Sequence, residues 1–184
     1  MKVERSMEPS RRVGYVGLLV SMGLVFQILE SFLPPLLPLP GAKLGLANLA
    51  TVIALFFLGP GSALEVTLLR CLLGGFLRGS FIGLALSTGG GVAAWAAMSF
   101  LYLLHPLPFS VVGISVMGAV AHNSAQLGIA MLLINFVGIY HYLPYLLLVA
   151  LPTGIFIGVT ARRLAQALER FSRSELVGID REAV

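Results

Sequence analysis

Charge is what this sequence has least of. Of its 184 residues, 11% are charged and 58% are hydrophobic, where a soluble domain carries roughly a quarter charged residues. Asp180, close to the C-terminal end, is its only aspartate. Clustered carboxylates are what hold Mg²⁺ on a diphosphate, and this sequence cannot supply them. One cysteine, Cys71, excludes an intramolecular disulfide and leaves no thiol-based metal site. His105, His122 and His141 are scattered, so neither a three-histidine metal site nor a Ser/His/Asp arrangement is expected. No Gly-x-x-x-x-Gly-Lys-Ser/Thr stretch occurs, which excludes a P-loop for ATP. No metal and no cofactor are therefore expected. The net charge of +4 does not point to nucleic acid, because the basic residues gather at the two ends.

Apolar runs near membrane-spanning length recur along the chain. The pattern predicts an all-α, polytopic membrane protein with six transmembrane helices. Their approximate ranges are Arg12–Phe32, Leu44–Leu58, Ser62–Leu77, Phe81–Leu104, Val111–Asn135 and Tyr142–Leu168. Residues 1–11 form a polar N-terminal segment, 12–170 one transmembrane domain, and 171–184 a polar tail. The first apolar run is too long for a signal-peptide core and is expected to be retained. Lys2, Arg5, Arg11 and Arg12 flank one end, and Arg162, Arg163, Arg170, Arg173 and Arg181 the other. The positive-inside rule then places both termini in the cytoplasm.

The stretch from Leu33 to Arg78 organises the chain. Four prolines between Pro34 and Pro40 forbid regular helix there. Two short apolar segments follow, separated by Gly59-Pro60-Gly61; short Gly/Pro-bounded segments are pointers to binding sites in transporters. Lys43, Asn48, Arg70 and Arg78 lie in this stretch. Charges inside apolar helices are costly in lipid and mark function by default. Arg70 and Arg78 differ by roughly 80° of rotation and two turns of rise, so both can line one cavity. Together these residues suggest an outward-opening pocket for a small molecule with an anionic or hydrogen-bonding part. The competing reading is snorkelling for Lys43 and Arg78, and an ion pair with Glu30 for Arg70. Glu65 lies near a helix end and suits solvent.

His122, Asn123 and Gln126 form a second cluster on one helix face. They serve either as ligand contacts or as helix-to-helix ties. Gly14, Gly17 and Ser21 give the first helix a small-residue face that permits close contact with a partner helix. Tyr15, Phe26, Trp95 and Tyr102 suit packing or the membrane interface.

Three stretches carry a resemblance: Gly41-Ala42-Lys43-Leu44-Gly45-Leu46-Ala47-Asn48, Leu69-Arg70-Cys71-Leu72-Leu73-Gly74, and Gly113 to Asn123. With them, residues 12–165 resemble the Gx transporter family, also labelled heptaprenyl diphosphate synthase component I. That family is similar to the substrate-binding S components of energy-coupling factor (ECF) transporters. The resemblance implies a six-helix bundle with an outer loop that lids the pocket. It also implies that the first helix, here at Gly14, Gly17 and Ser21, docks a coupling transmembrane protein powered by ATPase subunits in trans. Two functions follow as expectations: a membrane-embedded binding subunit for uptake of a small organic nutrient, or a non-catalytic membrane component of polyprenyl diphosphate synthesis. The missing aspartates argue against an enzyme. The buried Arg70 argues against a third reading, a plain membrane scaffold.

Overall fold

The computed structural model describes residues 8–32, 45–104 and 109–182, with side chains described up to residue 167. Five α-helices, α1 (Pro9–Phe32), α2 (Asn48–Arg78), α3 (Phe81–Leu103), α4 (Val111–Ile134) and α5 (Leu143–Glu182), follow in order, with a 3₁₀ segment (Val137–Tyr142) before α5. All five are long and apolar enough to cross a membrane. Pro9 opens α1, where its missing N–H costs nothing. Asn135 closes α4 in the left-handed conformation that asparagine tolerates. The final helix extends to Glu182, beyond the expected end at Leu168.

The second helix is two arms. Gly59 sits at φ 86°, ψ 176°, a region open essentially to glycine alone. Pro60 then starts the second arm with its φ preset. A continuous helix would hold Asn48 and Arg70 about 33 Å apart. They are hydrogen-bonded at 2.8 Å, so the arms fold back on one another. The first arm, 48–58, is only about 16 Å long at the usual helical rise, roughly half the apolar thickness of a bilayer. The two arms correspond to the two short segments expected on either side of Gly59; counted as one helix, they leave five helices of spanning length among the described residues. Trp95 of α3 ties the turn down, its Nε1 donating to the Pro60 carbonyl at 2.8 Å.

Pairwise contacts give the helix directions. Along α1 and the second arm, Arg12 meets Ser62 and Glu65, Gly23 meets Arg70, and Gln27 meets Gly74. These two therefore run parallel. The first arm is antiparallel to α1, with Ala50 at Gly23 and Gly45 at Glu30. The second arm and α3 are antiparallel, pairing Gly75 with Leu84 and Pro60 with Trp95. So are α3 and α4 (Gly89 with Ile129, Met98 with Gly118) and α4 and α5 (Asn123 with Leu146, Val112 with Gly158). The start of α1 and Arg162–Arg163 thus share one end of the bundle with the Gly59 turn. Glu30, Arg78 and Asn135 lie at the other, here called the Arg78 end.

The outer surface is apolar: Val13, Leu18, Val25, Leu132, Leu148 and Phe156 are among many exposed large side chains. This chain is a multi-pass membrane protein. Lipid tails are as apolar as leucine, so the helices associate through close fit rather than hydrophobic gain. Among the described residues, backbone meets backbone most closely between α4 and α5. A Cβ on Gly154 would lie 2.6 Å from Val116 Cα, and one on Gly158 the same distance from Val112 Cα. No side-chain rotation relieves a clash with backbone. Gly154→Ala and Gly158→Ala should therefore each cost about 1–3 kcal/mol, the usual range for overpacking. Gly128, where a Cβ would meet nothing within 4 Å, should accept alanine within about 0.5 kcal/mol. Thermal melts of the purified variants check this. Equal melting temperatures across the three would contradict the packing.

Candidate binding site in the bundle interior

The Gly59 turn places Asn48 opposite Arg70. Below that pair, Thr51 and Thr67 meet at 2.9 Å. Thr67 gives its proton to the Ala63 carbonyl at 2.8 Å, so Thr51 is the donor between them. These contacts zip the arms together and fix the depth of Arg70.

Arg70 is 2% exposed. Its side chain passes between helices that carry glycine where it crosses them. A Cβ on Gly23 of α1 would be 3.0 Å from Arg70 Cδ, and one on Gly91 of α3 would be 3.6 Å from Nη2. The guanidinium donates from Nη2 to Asn48 Oδ1, and its buried Nε has no acceptor among the described residues. A guanidinium keeps its charge in a protein, and a buried charge without a counter-charge is costly. Its partner is a neutral amide oxygen. The Glu30 carboxylate instead accepts from the Gly45 amide, holding the turn before α2 against α1.

The second cluster reaches the same level from α4. On Gly90, beside Gly91, a Cβ would fall 2.7 Å from Gln126 Cγ and 2.9 Å from His122 Cε1. Consecutive residues on a helix point about 100° apart. At Gly90-Gly91, α3 thus has Arg70 against one face and His122 with Gln126 against the adjacent one. Both α4 side chains are buried, and Gln126 Oε1 has no partner. The two clusters form one polar layer across the bundle. Asn123 turns away from it: its Nδ2 donates to the Leu146 carbonyl at 3.2 Å, tying α4 to α5.

Other predicted residues sit apart. Arg78 is half-buried at the far end of α2, its Nε donating to the Gly74 carbonyl at 2.9 Å. Lys43 lies outside the described residues. Gly14 and Gly17 are exposed, with nothing within 4 Å of a Cβ at either, and Ser21 returns its proton to the Gly17 carbonyl at 2.9 Å. Glu65, expected to be solvated, pairs with Arg12 at 2.6 Å. Both are more than a third exposed, so that bridge contributes little. Cys71 donates to the Ser87 carbonyl at 3.3 Å, a packing role. Among the described residues, no three of His, Cys, Asp or Glu come together to hold a metal. The layer offers a fixed cation, amides and an imidazole, which is equipment for binding.

Sequence reasoning missed the Trp95 tie and the α4–α5 seam. The Gly154-x-x-x-Gly158 spacing is the signal that would have found the last.

Comparisons with known proteins agree with this architecture. The family model described as heptaprenyl diphosphate synthase component I matches residues 19–164. A solved structure described as the S component of a bacterial ECF transporter superposes with a TM-score of 0.71 at 18% identity. The match covers 89% of this chain and 98% of that one. No curated protein sequence matches the chain.

The pairing of Arg70 with an amide is directly testable. Asn48→Ala should cost about 1.5–3 kcal/mol, the range for hydrogen bonds to charged groups. Asn48→Asp keeps an acceptor in place and should recover most of that loss. Thermal melts of the three proteins in one detergent check it. A wild-type melting temperature in Asn48→Ala would mean that the contact holds nothing.

Proposed function

We propose that this chain, which belongs to the heptaprenyl diphosphate synthase component I family, is the membrane-embedded binding subunit of an ECF-type uptake transporter. Its cargo is a small organic nutrient with an anionic group. The observation that carries this reading is Arg70: buried in the bundle, held by a neutral amide, with a spare N–H. Such a cation within a membrane marks a ligand or ion pathway by default. Arg70 and Asn48 take the anionic group, while His122 and Gln126 offer hydrogen bonds from the adjacent face of α3. The S-component fold of the solved relative supports the same role. Energy comes from separate ATPase and coupling subunits, because the sequence has no nucleotide motif.

In this reading the two arms of α2 count as two passes, the first starting within the membrane, giving six segments with both termini in the cytoplasm. The shared end of the bundle and its arginines support that orientation. Tyr140→Cys, in a Cys71→Ser background, is then labelled by an impermeant thiol reagent from outside only. The exposed Gly14, Gly17 and Ser21 face is where a coupling protein docks. The second reading, a non-catalytic partner in polyprenyl diphosphate synthesis, rests on the family description; a diphosphate would also satisfy Arg70.

Native mass spectrometry of the gently purified protein tests the proposal. The wild type should carry a small organic acid, and Arg70→Ala should lose at least tenfold of it. Removing one partner of a buried charge pair costs about 2–5 kcal/mol. A bound prenyl diphosphate would favour the second reading. Undiminished binding in Arg70→Ala would contradict both. Gly17→Leu with Ser21→Leu should keep the ligand and lose any co-purifying membrane partner.

A further inference from the structure

Near the Arg78 end, α1 and the second arm of α2 enclose a cavity of about 40 Å³ that the polar layer does not use. Its polar lining is Gln27, Ser31 and Arg78, and its apolar lining includes Ile28 and Leu77. It is too small for a nutrient, since ligand pockets run to roughly 300 Å³ and more. Its chemistry is nonetheless specific. Gln27 is 6% exposed, and its Oε1 has no partner. Gly74 makes room for that amide: a Cβ there would fall 2.5 Å from Oε1 and 2.7 Å from Nε2. The Gly74 carbonyl also fixes Arg78 through Nε, and the buried Arg78 Nη2 has no partner among the described residues. Ser31 gives its proton to the Ile28 carbonyl, so it adds no donor.

We infer that Arg78 and Gln27 form a binding site for a phosphate-type oxyanion, supplied by the headgroup of an anionic lipid. A guanidinium is well matched to phosphate oxygens. The Gln27 amide can present its NH₂ to the same group, since amide orientation follows the partners available. The source is argued from position. Arg78 is the last residue of α2, at the level where a spanning helix meets headgroups. The cavity's rim is apolar and faces lipid, with Ile28 47% and Leu77 69% exposed. A phosphate can enter there while its acyl chains lie along α1 and α2.

Native mass spectrometry from micelles holding equal phosphatidylglycerol and phosphatidylcholine tests this. The wild type should retain phosphatidylglycerol preferentially, and Arg78→Ala and Gln27→Leu should each lose at least tenfold of it. Arg78→Lys should fall between. Arg12→Ala removes the same charge from the opposite end and should match the wild type, which separates a site from general charge attraction. Thermal stabilisation by inorganic phosphate without lipid, absent in Arg78→Ala, would keep the oxyanion site and overturn the lipid as its source. Equal lipid retention in wild type and Arg78→Ala, with no phosphate effect, would overturn the site and leave Arg78 as a snorkelling residue. Because the readout is lipid rather than nutrient, it stands or falls apart from the Arg70 proposal.

Discussion

One buried positive charge sets the terms for this bundle. Arg70 sits in the interior, where a guanidinium can neither shed its proton nor reach water. The chain answers it with the amide oxygen of Asn48 rather than a carboxylate. An amide fixes direction without cancelling charge. Everything near Arg70 serves that fixing: the Gly59 reversal brings Asn48 into reach, and the Thr51–Thr67 contact sets the register of the arms. Gly23 and Gly91 leave the width of an arginine side chain between α1, α2 and α3.

Glycine is the second theme, used by subtraction. At Gly59 it permits a backbone angle closed to other residues. At Gly90 and Gly91 it lets polar side chains from two helices press against a third. At Gly154 and Gly158 it brings the α4 backbone to the surface of α5. In lipid this closeness is the main source of helix association. The polar layer is therefore framed by the same residues that hold the bundle together.

Much of this was legible in the sequence. Hydropathy and the proline and glycine breaks placed most helices within a few residues, because lipid imposes length and composition together. Arg70 stood out because a mid-helix charge in apolar sequence has few uses. The Gly59-Pro60-Gly61 break was visible as a reversal between two short helices, and the structure has that hairpin. Partners were not legible. Nothing in the sequence says that Arg70 chooses Asn48 over Glu30, since pairing across a turn depends on register rather than spacing. The same limit hid the split among His122, Asn123 and Gln126: two face Gly90, and one ties α4 to α5. The resemblance along the chain implied the S-component fold, and the superposed structure has it.

In this structure Arg70 is held in place by a neutral partner, an arrangement that should cost the fold stability. Stability lost to a functional site is returned when the site is removed, and a buried charge replaced by an apolar side chain is often neutral or stabilising. The most direct measurement is the melting temperature of ligand-free Arg70→Met against wild type, with ligand binding measured on both. The account predicts that Arg70→Met melts at or above the wild-type temperature and no longer binds. A clear fall in melting temperature with binding retained would contradict it and make Arg70 a structural residue.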